Sequence, residues 1–332
     1  MFIEAFLRDF YMIRIGTLLT LVTLVSIAST CEQDISLELP SSPEQLVVLC
    51  NFTPNEPFQV VVSRSHTLLD APHSPNYVPD AEVRIFNGNT LLANLNQWVE
   101  SEKPDVASYY TNTSFIPQVG QPYTIKVRTK GMPPVQATDA IPLPVPLQEV
   151  RIVNFSSQAS DLQGIDRFKF SIRLQLHDPP GQENFYHINV YQKVHAFLLI
   201  NNGHDTLWSP PQLVRTGIAN SDWQDGIFST VDKGLLFSDK QYDGDIISMK
   251  LNIDFFLSIP TSPYSYVLGD VYIELRSTSH AYYLYHSTLS RQQENLNKPF
   301  SEPVAIYNNI QGGLGNFSGY STFISKITPP PQ

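Results

Sequence analysis

The sequence predicts an all-β protein: two successive β-rich units with a single helix near the C-terminus. Three observations carry this. Short runs of Val, Ile, Tyr and Phe recur between Pro, Asn, Asp and Gly. With 26 Pro and 16 Gly in 332 residues, that is the punctuation of strands joined by turns. Several runs alternate at period two. Tyr123-Thr124-Ile125-Lys126-Val127-Arg128-Thr129 puts Tyr123, Ile125 and Val127 on one face and the cations on the other. The run Ile141-Pro142-Leu143-Pro144-Val145-Pro146-Leu147 then divides the chain, because alternate prolines forbid helix and keep the backbone extended and semi-rigid.

The first thirty residues read as a secretory signal. An apolar stretch from Ile15 to Ile27 follows Arg14 and ends in Ala28-Ser29-Thr30-Cys31. It is shorter than the roughly 20 apolar residues that span a bilayer, and it stops at small residues rather than at a basic cluster. Glu4 and Asp9 are unusual in a signal leader, and a start at Met12 gives a cleaner one. Cys31 is then the first mature residue and the site of lipid attachment. Each buried methylene of an acyl chain contributes about 0.8 kcal/mol, so two or more chains anchor stably where one does not. Thr30 and Ala28 depart from the usual residues before a lipidated cysteine. Residues 31–44 form a polar tether.

The first unit, residues 45–141, has strands expected at 45–52, 58–63, 80–86, 90–95 and 123–129. Asn87-Gly88-Asn89 supplies a hairpin turn between the third and fourth. Together they suit a β-sandwich of immunoglobulin-like or transthyretin-like type. Residues 142–147 are the linker, and the second unit covers 148–327 with a short tail at 328–332. Its expected strands are 168–176, 186–199, 246–257 and 271–277. Asp178-Pro179-Pro180-Gly181 turns the chain between the first two. Residues 201–245 read as a polar, turn-rich stretch. Ser277-Thr278-Ser279 offers an N-cap for a helix at about 279–297. Tyr282, Tyr285, Leu289 and Leu296 recur on its apolar face, and Lys298-Pro299 ends it. The four glycines between 312 and 319 imply close backbone approach or positive φ, and residues 323–327 form a closing strand.

Composition limits the function. The net charge is −10, and Glu4 and Asp9 offset Arg8 and Arg14, so the mature chain carries all of it. Such a chain lacks the basic footprint of a nucleic-acid binder and is not drawn to anionic lipid by charge. A hydrophobic content of 42% suffices for packed cores. With Cys31 acylated, Cys50 has no partner and packs as a small apolar residue in a strand-like run; a Cys31–Cys50 disulfide is the alternative, and it requires cleavage elsewhere.

The chain resembles a Bacteroidota family of outer-membrane lipoproteins known only as a domain of unknown function, whose genes often lie beside those of TonB-dependent receptors. The resemblance rests on Cys31, Leu46-Val47-Val48, Ser63-Arg64, Asp80-Ala81-Glu82-Val83 and Tyr123-Thr124-Ile125. Further along it rests on Asp178-Pro179-Pro180-Gly181 with Asn184-Phe185-Tyr186, and on Phe237-Ser238-Asp239-Lys240-Gln241-Tyr242-Asp243-Gly244. Its most specific part is the tail, residues 297–304 with Gly313-Leu314-Gly315-Asn316-Phe317-Ser318-Gly319-Tyr320-Ser321. Cys50 departs from it, standing where the family tends to carry a glycine-containing turn. The resemblance implies an accessory protein at the outer membrane and supplies no substrate or catalytic residue. Glu32 and Asp34 resemble the surface-export tag of such lipoproteins. Asp205-Thr206-Leu207 resembles a short O-glycosylation acceptor motif, with Thr206 the acceptor on an exposed loop.

Other motifs are weighed against plainer readings. Asp239, Asp243 and Asp245 crowd one turn; they are a calcium candidate, against ordinary Asp-Gly turn chemistry. Trp208 and Trp223 lie in polar segments; they are ligand-binding candidates, against capping of the core. His187 and His195 lack a third metal ligand at suitable spacing. The Gly315–Gly319 segment has the wrong spacing for a nucleophile elbow. The sequence therefore predicts no enzyme and no cofactor. It predicts a lipid-anchored, surface-exposed binding subunit that works noncovalently with a TonB-dependent receptor on an unidentified ligand. The alternative is a structural or adhesive surface lipoprotein.

Overall fold

Strand β1 (Leu46–Phe52) buries Leu46, Val48, Cys50 and Phe52, every second side chain, and that alternation fixes which face looks inward. The computed structural model describes residues 43–66, 76–103, 106–158, 165–200, 204–222, 228–230, 233–258, 264–296, 298 and 301–329. In chain order the next strands are β2 (Val61–Arg64), β3 (Asn76–Tyr77), β4 (Glu82–Asn87), β5 (Thr90–Asn94), β6 (Gln97–Val99), β7 (Tyr109–Thr111), β8 (Pro122–Arg128) and β9 (Val135–Ala140). They are followed by β10 (Leu147–Gln158), β11 (Ile165–His177), β12 (Phe185–Ile200), β13 (Asp205–Trp208), β14 (Gln212–Thr216) and β15 (Ile218–Ser221). The chain continues through β16 (Phe228–Ser229), β17 (Leu235–Ser238), β18 (Ile246–Ser258), β19 (Tyr264–Thr278), helix α1 (His280–Leu296) and β20 (Leu314–Ile327). The chain is all-β with one helix near the C-terminus, as its patterning predicts. The 201–245 region differs from expectation: it carries short strands β13 to β17 rather than turns alone.

One long sheet organises these strands. Its order is β16-β17-β12-β19-β20-β1-β2-β3, with β13 and β14 also paired to β12. Two four-stranded sheets, β5-β4-β8-β9 and β10-β11-β18-β15, pack against its two ends. The first core lies between β1, β2 and the β4–β8–β9 sheet, around Val48, Ile85, Ile125 and Val127. The second lies between β12, β17, β19 and the β10–β11–β18 sheet, around Ile188, Phe237, Leu251 and Ile273. The proline-rich segment runs from one to the other: Ile141 is buried in the first core, Val145 and Leu147 in the second.

The tail strand spans both cores. β20 pairs parallel with β1 through residues 314–319, Val48 opposite Gly315 and Cys50 opposite Phe317, and antiparallel with β19 through residues 320–327. Phe317 is fully buried in the first core. Its ring stacks on Phe52 at 4.6 Å between centroids, in a cluster with Phe58 and Tyr123. The glycines make this approach possible. A Cβ on Gly315, whose φ is +121°, sits 2.0 Å from the Val48 carbonyl oxygen, and one on Gly319 sits 2.4 Å from that of Ala140. Asp139 fastens the junction: its carboxylate accepts the Gly319 N–H at 2.9 Å and the Ser279 hydroxyl. Ser279 Oγ also accepts the Tyr282 N–H at 3.2 Å, the expected N-cap.

Other local expectations hold or shift in detail. Gly88 opens the β4–β5 turn at φ +56°, with Asn87 paired to Thr90, as a two-residue type II′ hairpin requires. Cys50 is free and buried, and burial pushes its thiol pKa up, which leaves it an inert apolar residue. The helix buries Tyr282, Ser287 and Ser290, whereas Leu296 is 74% exposed. Its inner face is therefore more polar than the Tyr282–Tyr285–Leu289–Leu296 stripe suggests, because it covers polar side chains of the sheet.

The junction is testable by paired substitutions. Gly315→Ala is expected to cost at least about 4 kcal/mol in urea unfolding, since its methyl overlaps the β1 backbone. Gly120→Ala, also at positive φ but facing open space, is expected to cost about 1–2 kcal/mol.

Candidate functional site

β12 sets out the chemistry of the second half, because its alternation separates two environments. Tyr186, Ile188, Val190 and Val194 face the core. On the opposite face, His187 lies beneath α1 and Asn189 packs under Gly234. His187 Nδ1 is 2.9 Å from the Tyr282 hydroxyl, and Nε2 is 3.3 Å from that of Thr230. His187 is thus built into the fold. Glu274 on β19 accepts from Asn189 Nδ2 at 2.8 Å and from Tyr191 at 3.2 Å, and pairs with Arg276 at 3.0 Å. Arg276 in turn donates to Tyr282 and lies over the Tyr320 ring. A charge pair this buried is tolerable only with its hydrogen bonds filled, and this layer fills those of Glu274. At the β1–β20 junction the same layer holds Asn51, Asn316 and Ser318, joined to one another, with His286 of the helix 3.3 Å from Asn51.

Further along β12 the helix no longer covers that face, and the side chains turn apolar and exposed. Phe197 lies opposite Trp208, Leu199 opposite Thr206, Lys193 opposite Leu213 and His195 opposite Val267. These pairings place Trp208, Leu199, Leu213 and Val267 on one face. They are 49%, 47%, 58% and 48% exposed. Trp208 therefore does not cap the core. Its ring lies tilted against His195, 4.5 Å between centroids, and Phe197, 4.8 Å between centroids, on a paired strand. Leu207, on the other face of this hairpin, is 60% exposed. Thr206 is exposed as well, on a strand of the hairpin rather than on a loop. Beside β14, a cleft of about 530 Å³ is lined by Arg215, Gly217, Lys233, Asp254 and Phe256.

At the opposite end of β12, three carboxylates converge. Asp178 follows β11, and Asp239 and Asp243 lie in the turn after β17; one oxygen from each falls within 4.8 Å of the others. Asp178 and Asp239 are buried and Asp243 is exposed. This corrects the grouping expected from sequence. Asp245 is not a member; it enters through its backbone, whose carbonyl accepts the Asp178 N–H at 3.0 Å. Asp178, 60 residues and more away in sequence, takes its place, brought there by the β11–β18 pairing. Burial first, and then the neighbouring Asp178, push the Asp239 pKa up to about 6. Cys31, Glu32, Asp34 and Trp223 lie outside the described residues.

The architecture defines a class: an all-β protein of layered sheets that share one long sheet, with one covering helix and a bare apolar strand face. The chain belongs to the family described as Domain of unknown function (DUF4249), whose model matches residues 32–324. No curated protein matches it.

A pH titration tests the Asp239 environment. Its folded pKa lies above the ordinary carboxylate value of about 4, so between about pH 4 and 6 the native state holds a proton that the unfolded chain has released. Stability in chelator-containing buffer is expected to fall as pH rises through that window and to level off above it. Asp139, also shifted up by burial, adds a fall of the same sign. The expected observation is a shallower fall in Asp239→Asn than in the unaltered chain, read from urea midpoints between pH 4 and 7.5.

Proposed function

We propose that this protein is a lipid-anchored outer-membrane subunit, displayed at the cell surface, that docks noncovalently on a TonB-dependent receptor and assists uptake of a nutrient. The observation that carries the reading is the bare apolar face around Trp208. Exposed apolar surface of this kind, on a paired strand rather than a loop, marks a contact surface. Tryptophan in a preset orientation is a frequent binding anchor. The hairpin's partners His195 and Phe197 hold the ring before any partner arrives, which lowers the ordering cost of association.

Three sequence features support the membrane side of the reading. The apolar stretch ending at Cys31 reads as a lipoprotein signal, Glu32 and Asp34 read as an export tag, and the resembled family sits beside receptors of this kind. Residues 31–44 span at most about 50 Å when fully extended, so a lipid on Cys31 keeps the folded unit within reach of a neighbouring barrel. Confinement of this kind raises the effective concentration of one partner near the other. The acidic net charge leaves attachment to the lipid chains rather than to anionic headgroups.

The test is copurification. A C-terminally tagged full-length protein, extracted gently from outer membranes, is expected to bring a TonB-dependent receptor in stoichiometric amount. Trp208→Ala is expected to lose that receptor at least tenfold while its urea midpoint changes little, because an exposed side chain supports the fold weakly. Recovery of the lipidated protein alone, or undiminished receptor with Trp208→Ala, contradicts the reading.

A further inference from the structure

We propose that Asp178, Asp239 and Asp243 bind one calcium ion that ties together the loops at the base of β12. This inference is independent of the docking surface, which lies at the other end of that strand.

The site is built from three segments. Tyr186 donates its hydroxyl to Asp178 Oδ1, and the Gly244 N–H reaches Asp178 Oδ2 at 3.1 Å. The Gly181 N–H donates to Asp243 Oδ1 at 2.7 Å. Asn184 donates through Nδ2 to Asp239 Oδ2 at 3.2 Å and to the Pro179 carbonyl at 3.0 Å. Every one of these donors is neutral, and among the described residues no Lys or Arg pairs with the three carboxylates. Asp239 Oδ1 is the second observation. The residue is 0% exposed, and this oxygen meets no donor. A buried carboxylate oxygen without a donor costs free energy unless something positive faces it.

Two buried carboxylates side by side must be neutralised by a proton or by a cation. A shared proton serves Asp178 and Asp239 but gives no part to the third carboxylate, which is held on the same point by the Gly181 amide. The donor set decides the class of cation. It consists of oxygen alone, which selects a hard ion over zinc or copper. Oxygens around one calcium ion, each at 2.3–2.6 Å, lie at most about 4.6–5.2 Å apart, and the three ligand atoms here are all within 4.8 Å. Magnesium demands near-ideal octahedral geometry at 2.0–2.1 Å, dehydrates reluctantly and is usually held by one or two carboxylates, so three protein carboxylates suit calcium better. The exposed side of Asp243 leaves room for water to complete a calcium shell. The loops are fixed in place for this role: Gly244 stands at φ +77°, and a Cβ there meets Pro180 at 2.8 Å.

The full chain, stripped with chelator, is to be titrated with CaCl2 by calorimetry and by thermal unfolding. The expected result is one equivalent bound with a dissociation constant on the order of 10⁻⁴ to 10⁻³ M, as in extracellular modules. A rise in Tm of about 3 °C or more is expected at 10 mM, with a smaller rise in MgCl2. Asp243→Asn, at an exposed position that leaves the fold intact, is expected to weaken calcium binding at least tenfold, and Asp245→Asn to leave it unchanged. Asp239→Asn is expected to lose the calcium response and to be more stable than the unaltered chain in chelator. A Tm unmoved by 10 mM calcium overturns the site and leaves a proton-sharing pair. A response undiminished in Asp243→Asn overturns the ligand set, and an equal shift from magnesium overturns the assignment to calcium.

Discussion

β20 lies parallel to β1 with Gly315 where a Cβ would overlap the Val48 carbonyl, and through this pairing residues more than 260 apart in sequence complete one sheet. Without it, the first core loses Phe317 from its aromatic cluster and β1 loses one hydrogen-bonded neighbour. β19, paired with the later half of β20, loses its link to the first half of the molecule. Parallel pairing needs a long connection, and here nearly the whole chain serves as that connection. The two β-rich halves accordingly have separate cores but share one sheet. Asp139 reinforces the arrangement, since one half-buried carboxylate holds the β9 end, the Gly319 amide and the N-cap serine of the helix.

That shared sheet determines where function can reside. One face of β12 is given to the core. The other is divided along its length: a polar layer roofed by α1, then an uncovered apolar stretch around Trp208. The helix does not simply bury grease. Tyr282 of this roof meets His187 Nδ1 and accepts from Arg276 Nη1. Beyond it, Trp208, Leu199, Leu213 and Val267 face solvent on a rigid support. The acidic group stands at the opposite end of the strand, so an ion there steadies the base of the same strand that presents the contact face.

Much of this was legible locally. The alternation around Tyr123–Thr129, the Asn87-Gly88 turn, the Ser279 cap and the crowding of glycines near the tail each rest on a local rule, and each appears in the structure. What was not legible depends on partners distant in sequence. Asp239 and Asp243 stood out as a pair, but Asp178 read only as part of a turn, because nothing in its neighbours reports that β11 and β18 run side by side. Trp208 looked like a core cap because tryptophan usually is one; its exposure follows from where the helix roof ends. β10 escaped notice because Leu147–Gln158 has few strong strand formers in its second half and takes its form from β11. The parallel register of β20 on β1 leaves only the glycines as a local trace.

Hydrogen exchange of the full chain, followed by mass spectrometry across a urea series, tests most directly whether the tail strand makes one cooperative unit of the two cores. The account predicts that the slowest amides of β1, β8, β12 and β20 share a single opening free energy and a single midpoint. Loss of protection across β1 and β8 at lower urea than across β12 and β19 contradicts it, and means that the halves fold separately and the shared sheet is incidental.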